Sequence, residues 1–420
     1  MKILEEVLKK LSPSEEEKKE IEKIVKEIKD SIEKIKPGDA EAMLVGSVAK
    51  DTYLKSALDI DFFILFPTYY KKEEMQKIVI SIGKKILKEW KIQYAEHPYI
   101  RGFYKGYMVD IVPCYRIKSP DKKMSAVDRT PFHTEYIKKN LKEEMKNEVR
   151  LFKQFLKGIG CYGAEAKIEG FSGYLVELLI LKYGSFLDVL KNAKNIKPYL
   201  IDPVDESRNV AAALSKEKLE FFIEAADEFL KKPKIEFFFP NPVKLLDRKE
   251  VEEKIKNFVG ICFKKPEIVD DILYPQLKKA AKSMENLMKN YDFEIVDRVW
   301  YANDEVFVAV KLKKVIIDEI KLHVGPPLKE EEHVKIFIEK WKNSNLLVGE
   351  PFEMKGRIYV KIKRKYTDAI SLLKDFLYEL NLGKNINDIR KEIKICDFRN
   401  LSKFVCFWSE YLCEKKPWQR

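Results

Sequence analysis

GSVAKDTYLKSALDIDFFI, residues 46–64, decides the fold of the first third of the chain. Gly46-Ser47 interrupts a short apolar run at 42–45, read as a strand. Residues 48–55 are read as a short helix or turn, and 57–66 as a second strand stopped by Pro67. Alternate side chains of a strand share one face. Asp59 and Asp61 therefore point together while Ile60 enters the core. Gly46 permits close backbone approach to a phosphate, and Ser47 adds a hydroxyl beside the exposed N–H groups of a helix start. No GxxxxGK[ST] occurs, so this is not a Walker loop.

A third carboxylate, Asp110, lies in the apolar run Met108-Val109-Asp110-Ile111-Val112. Unpaired buried charge is strongly unfavourable, so Asp110 requires a partner or a metal. If the two strands are neighbours, Asp59, Asp61 and Asp110 converge, and divalent cations relieve their repulsion. Oxygen ligands favour Mg2+, which also binds nucleotide phosphates. The pattern points to two-metal phosphoryl transfer, with Asp59 and Asp61 touching both ions and Asp110 the ion beside the attacking hydroxyl. A D-x-D pair by itself also suits a loop or a helix cap. The Gly-Ser turn and the in-strand Asp110 separate the two cases.

Working outward, residues 12–36 read as an amphipathic helix with Ser12 as cap, Pro13 at its first position and Glu15 completing a capping box. Its stripe is Ile21, Ile24, Val25, Ile28, Ile32 and Ile35. A helix is expected over 71–90, then strands over 92–97 and 104–113. These elements form a small mixed sheet with packed helices, α+β in character. From residue 134 the pattern becomes helical through Met145, Val149, Phe152, Phe155 and Leu156, with further helices over 171–190 and 216–231. Beyond PNPVKLL, strands are expected at 254–263, within 291–319 and at 356–364. Helices are expected at 270–290, 329–343 and 366–380, and His323-Val-Gly-Pro-Pro as a shaped loop. The expected domains are 1–133, 134–252 and 253–420.

The chain has 420 residues, too many for one ordinary core, with 45% hydrophobic and 35% charged. Its 80 basic and 68 acidic residues give +12, which suits a polyanionic partner but also a solvated Lys/Glu surface. No two of the six cysteines have CxxC spacing, which argues against a structural zinc site or a secreted disulfide framework. No apolar run reaches the length of a membrane span, so a cytoplasmic protein is expected.

The motifs resemble the nucleotidyltransferase superfamily related to DNA polymerase beta and, within it, archaeal-type (class I) CCA-adding enzymes. The likeness is carried by residues 46–64, the Asp110 strand, KGIGCYGAEAKIEGFSGYLVELLI at 157–180, DPVDESRNVA at 202–211 and LHVGPP at 322–327. It implies a polymerase-beta-like head, a helical central domain and α+β C-terminal domains that bind RNA. It implies Mg2+ at Asp59, Asp61 and Asp110. It also implies nucleotide contacts from Gly46, Ser47, Lys50, His133, Lys153 and Tyr162. Read alone, Lys50 and Lys153 are more often solvated lysines, Tyr162 is more often packing or surface structure, and His133 caps a loop as readily as it touches a ligand. Arg208 and Asn209 read either as nucleotide contacts or as structure, Arg208 through a salt bridge to Asp202 or Asp205. Relatives often carry Arg at the Lys50 position, whose bidentate fork Lys lacks, and Glu at the Asp59 position, where Asp is shorter. The resemblance further implies tRNA, CTP and ATP as substrates and a homodimer. KGRIYVKIKRKY at 355–366 offers a basic face to RNA, or a solvated lysine face on a sheet. The rival readings are a poly(A) polymerase or oligoadenylate synthetase, which share the carboxylate chemistry, and a non-catalytic RNA-binding scaffold.

Overall fold

The strands that carry Asp61 and Asp110 are direct neighbours in one mixed sheet. The computed structural model describes residues 2–94 and 98–420. The chain forms two compact units, Met1–Pro242 with Lys415–Arg420, and Val243–Glu414.

In the first unit, β1 (Glu41–Val45), β2 (Asp59–Phe66), β3 (Lys88–Tyr94), β4 (Pro98–Tyr104) and β5 (Tyr107–Tyr115) lie in the order β1-β2-β5-β4-β3. β2 and β5 are parallel, and the other pairs are antiparallel. One face carries Ile60, Phe62, Ile64, Ile100, Val109 and Ile111. It buries the stripe Ile24, Ile28 and Ile32 of α2 (Glu15–Glu33) and Met75, Val79 and Ile82 of α4 (Lys72–Ile86). The short α3 (Gly46–Ala49) follows β1 directly.

Three local expectations change here. The single helix expected over 12–36 is α2, which starts at Glu15 rather than after Ser12, and a separate α1 (Lys2–Leu11) precedes it. Ser14 caps α2, accepting from Glu17 N at 3.2 Å while its own N–H donates to Glu17 Oε2 at 2.8 Å. Ser12 instead closes α1, its N–H donating to Leu8 O. The helix expected to run to residue 90 stops at Ile86, because Leu87 turns extended. Three strands, not two, then fill residues 88–115, paired in succession as antiparallel neighbours. Residues 95–97 of the expected strand 92–97 lie outside the described residues.

The helical part of this unit comprises α5 (Thr130–Asn140), α6 (Glu143–Gly158), α7 (Gly173–Tyr183), α8 (Phe186–Lys191) and α9 (Lys216–Lys231). The chain breaks between α5 and α6 where Leu141 becomes extended. It breaks between α7 and α8 at Gly184, whose φ of +93° suits only glycine well. β6 (Ile201–Asp202) and β7 (Asp205–Asn209) form a small hairpin before α9. Phe155 of α6 centres the core, with the rings of Phe186, Phe222, Phe229, Phe237 and Phe238 all within 6.4 Å of its own. The C-terminal residues join this core, where Trp418 stacks on Phe237 at 5.2 Å.

The second unit has a four-stranded sheet in the order β14-β8-β10-β9, from β8 (Phe258–Lys264), β9 (Ile295–Ala302), β10 (Glu305–Leu312) and β14 (Lys394–Cys396). A three-stranded sheet has the order β11-β13-β12, from β11 (Ile320–Pro327), β12 (Leu347–Met354) and β13 (Arg357–Lys363). His323-Val-Gly-Pro-Pro is therefore strand, not loop. β11 is an edge strand of that sheet, where missing proline N–H groups do not interrupt a central ladder. In the basic segment, Ile358, Val360 and Ile362 are buried while Lys361 and Lys363 face solvent. Where β14 lies beside β8, a single disulfide joins Cys262 to Cys396, 134 residues apart in sequence, while Cys114, Cys161, Cys406 and Cys413 are free. Among the described residues, no helix is long and apolar enough to cross a membrane.

Phe155→Ala should lower the stability of the first unit by about 3–5 kcal/mol, the usual cost of emptying a buried aromatic site. Hydrogen exchange of α6 and α9 amides in urea measures it; a loss below about 1 kcal/mol would show that the ring cluster is not the core.

Candidate functional site

Parallel pairing sets Asp61 directly opposite Asp110, and Asp59 opposite Met108. Asp59 is exposed, Asp61 half-buried and Asp110 only 6% exposed. Burial is the main cause that pushes the Asp61 carboxyl up to about 7, and the charges of Asp110 and Asp59 add to it. Burial also raises the Asp110 carboxyl, against the opposing pull of Arg101. Arg101 stands opposite Asp110 on β4. It grips Asp110 with two bonds, Nε to Oδ1 at 2.7 Å and Nη2 to Oδ2 at 2.6 Å. The same Nη2 lies 3.7 Å from Asp59 Oδ2.

Gly46 closes this seam from the start of α3, one residue past the end of β1. Its φ is +73°, and a Cβ there would lie 2.1 Å from Asp61 Oδ2. Ser47 follows in the first turn of α3, and its carbonyl accepts from Thr52 N at 2.9 Å.

Among the described residues, no three His, Cys, Asp or Glu side chains close on a common point as placed. The donor chemistry nevertheless fits a hard divalent cation, because three carboxylates share one seam. Arg101 is a stand-in for it, a cation already lying against two of the three.

A second cluster lies behind the turn. Lys50, Thr52, Lys153 of α6 and Glu177 of α7 meet in a buried group. Lys50 Nζ donates to Glu177 Oε2 at 2.6 Å, and Thr52 Oγ1 donates to Oε1 at 2.8 Å. Lys153 Nζ donates to Thr52 O at 3.0 Å and to Thr52 Oγ1 at 3.1 Å. Burial pushes the Lys153 ammonium down to about 8, opposed by Glu177. Burial disfavours the Glu177 carboxylate, but Lys50 and Lys153 outweigh it and hold the carboxyl below its ordinary value. The solvated alternative for Lys50 and Lys153 is thereby excluded. Arg150 of α6 fastens the same loop by donating to Tyr53 O at 3.0 Å and Asp51 O at 2.8 Å. Tyr162 is half-buried, its hydroxyl pushed up by burial, with Lys157 Nζ 5.5 Å from its ring centre.

The third group centres on Asp202, fully buried at the β6–β7 hairpin. His133 Nε2 lies 2.8 Å from its Oδ2, so that nitrogen carries a proton and leaves Nδ1 for other contacts. The His133 ring stacks on Tyr174 at 4.0 Å, and the Tyr174 hydroxyl donates to Asp202 Oδ1 at 3.0 Å. Arg208 Nη1 donates to Asp202 Oδ2 at 2.9 Å, the structural alternative for this residue. Asn209 is also structural. Its Oδ1 accepts from Leu200 N and Ala211 N, and its Nδ2 donates to Pro198 O.

The expected residues thus fall into three groups: Gly46, Asp59, Asp61 and Asp110; Lys50 and Lys153; and His133 with Arg208. Sequence reasoning does not find Arg101, Thr52 or Glu177, and it weighs the Gly170–Tyr174 segment as either tight helix packing or direct contact. For Glu177 the signal exists, since one carboxylate interrupts the apolar run Tyr174–Leu181, as Asp110 interrupts its strand. Arg101 has no such signal, because strand register alone brings it to Asp110.

Comparison with known proteins places this geometry. A nucleotidyltransferase domain matches residues 7–133, a tRNA nucleotidyltransferase second domain matches 147–200 and 197–239, and a CCA-adding enzyme C-terminal domain matches 255–397. The chain is 37% identical to a CCA-adding enzyme of Methanosarcina acetivorans over 94% of each chain. It is 36% identical to one of Methanocaldococcus jannaschii, over 92% of this chain and 93% of that one. It is 40% identical to one of Saccharolobus islandicus, over 89% and 91%.

Gly46→Ala should reduce nucleotide transfer by about 10²-fold, since displacing a reacting group by ~1 Å has that effect. Thermal unfolding should shift downward as well, because alanine at this positive φ is strained, so transfer is measured below the variant's unfolding temperature. A folded variant with near-normal transfer would show that the Gly46–Asp61 approach is dispensable.

Proposed function

The chain belongs to the family of CCA-adding enzymes, and from that premise we propose a template-independent, stepwise addition of C, C and A to the 3′ end of tRNA. CTP and ATP are the donors, and pyrophosphate leaves. Asp59, Asp61 and Asp110 are assigned as the carboxylates that hold the catalytic metal, Mg2+ on this reading. The observation that carries the assignment is the β2–β5 register, which sets Asp61 against Asp110 with a cationic guanidinium between Asp110 and Asp59.

When bound, Mg2+ supplies Lewis acidity toward the attacking 3′-hydroxyl and the departing pyrophosphate. The chain's own groups position the reactants. Asp59 and Asp61 orient from one face of β2, and Asp110 closes the seam on the primer side. Gly46 brings backbone close to the phosphates without a side chain in the way. Lys50 and Lys153 offset the triphosphate charge, and Ser47 offers a hydroxyl. His133, held by Asp202 and Tyr174, presents Nδ1 toward phosphate or sugar. Tyr162 offers a ring and a hydroxyl. Functional labour follows the segments 1–133 for transfer, 134–252 for the nucleotide and 253–420 for tRNA, in a cytoplasmic enzyme.

Incorporation on tRNA lacking the CCA end, and on tRNA ending in -C and in -CC, tests the reading. CTP alone should extend the first two ends, ATP alone only the -CC end, and both together should complete all three. ATP-only extension of every end, or of generic RNA, would favour a poly(A) polymerase instead. Asp61→Ala should keep most tRNA affinity in a filter-binding assay yet lose more than about 10²-fold in incorporation, as when a group stabilising the transition state is removed. Near-normal turnover would remove Asp61 from the metal site.

A further inference from the structure

A carboxylate with no exposed surface in the middle of an apolar helix is expensive unless other groups repay its lost hydration. Glu177 is such a group, flanked on α7 by the buried Leu175, Val176, Leu178, Leu179 and Ile180. Helix packing alone would be served better by another leucine. We propose that Glu177 is the positioning residue for the nucleotide's phosphates, holding Lys50 and Lys153 charged and in place. This deepens the proposed function and rests on it.

Both carboxylate oxygens are in use. Oε2 takes Lys50 at 2.6 Å, and Oε1 takes the Thr52 hydroxyl at 2.8 Å. Lys153 Nζ stands 3.6 Å from Oε1 and reaches it chiefly through Thr52. An ammonium has three N–H donors. Lys153 spends two on Thr52, and Lys50 spends one on Glu177, so each retains a donor for a phosphate oxygen. The loop 50–52, α6 and α7 are thereby tied at one point.

Two cations against one carboxylate leave this buried cluster with a surplus positive charge, which suits a polyanion. The same arrangement is precarious without Glu177. Lys50 and Arg150 both push the Lys153 proton off, burial pushes further, and Glu177 is the acid that opposes them. Neutralising Glu177 would let Lys153 lose its proton at lower pH and would free Lys50 from its fixed position.

The test is Glu177→Gln, which keeps size and hydrogen-bonding capacity but removes charge. KM for CTP and for ATP should rise roughly tenfold, the loss of one charge-assisted contact, with kcat changed less than about threefold. tRNA affinity should stay the same. In the wild type, kcat/KM for nucleotide should fall as pH rises through about 8, where Lys153 loses its proton. In the variant that fall should begin at lower pH, because the carboxylate that favours the protonated form is gone. A merely structural glutamate would not move this limb. Thr52→Val is the second variant, nearly isosteric and lacking only the hydroxyl that links Lys153 to Glu177. It should shift the alkaline limb in the same direction even if Glu177→Gln does not fold. Unchanged nucleotide KM and an unmoved limb in either folded variant would overturn the role. Wild-type protein that incorporates neither CTP nor ATP would instead defeat the proposed function, so the two failures are distinct.

Discussion

Asp61 and Asp110 repel each other across the parallel pair β2–β5, and much of the first unit answers to that repulsion. Parallel register leaves neither carboxylate room to turn away, because both project from the same face of adjacent strands. Burial and the neighbouring charges together raise Asp61 to about 7, so the seam holds its full negative charge only beside a cation. The sheet order places β4 next to β5, which brings Arg101 to Asp110 as that cation. The order also places β1 next to β2, which brings Gly46 so close to Asp61 that a Cβ there would displace the Asp61 carboxylate.

The loop from Gly46 to Asp59 connects this acidic seam to a basic cluster. At one end Gly46 rests on Asp61, and a few residues later Lys50 and Thr52 engage Glu177. Arg150 and Lys153, one helical turn apart on α6, hold the backbone of the same loop at residues 51–53. A shift of α6 or α7 would therefore be felt at the carboxylates through a chain of direct contacts. Opposite charges arranged on one short segment suit a substrate that brings both a metal and a triphosphate.

What sequence reveals here follows from how local each signal is. The Asp59–Asp61 pair, the in-strand Asp110 and the Gly46 turn are legible because strand periodicity and glycine chemistry act over a few residues. The helices α9 and α10 (Asp270–Asn290) are legible because their apolar stripes are long and regular. The antiparallel pair of β3 and β4 is not, since it is set by pairing rather than by a local pattern. Arg101 and Thr52 escape for the same reason. Their partners lie at 9 and 125 residues' separation, and only the folded register joins them. The Cys262–Cys396 disulfide is likewise a product of β14 lying beside β8, invisible in cysteine spacing.

The two departures that the family resemblance implies, at positions 50 and 59, can be weighed against this geometry. An arginine at position 50 could span both oxygens of Glu177 with its fork. Lysine reaches only Oε2, and Oε1 would then remain unpaired in a buried site. Here the Thr52 hydroxyl takes Oε1 and passes the contact on to Lys153, so the carboxylate is satisfied by two separate donors. The burden of fixing Glu177 therefore shifts from one guanidinium to a lysine, a threonine and a second lysine. Aspartate at position 59 is a different matter. It is one methylene shorter than glutamate and, at 3.7 Å from Arg101, stops short of the bidentate grip that holds Asp110.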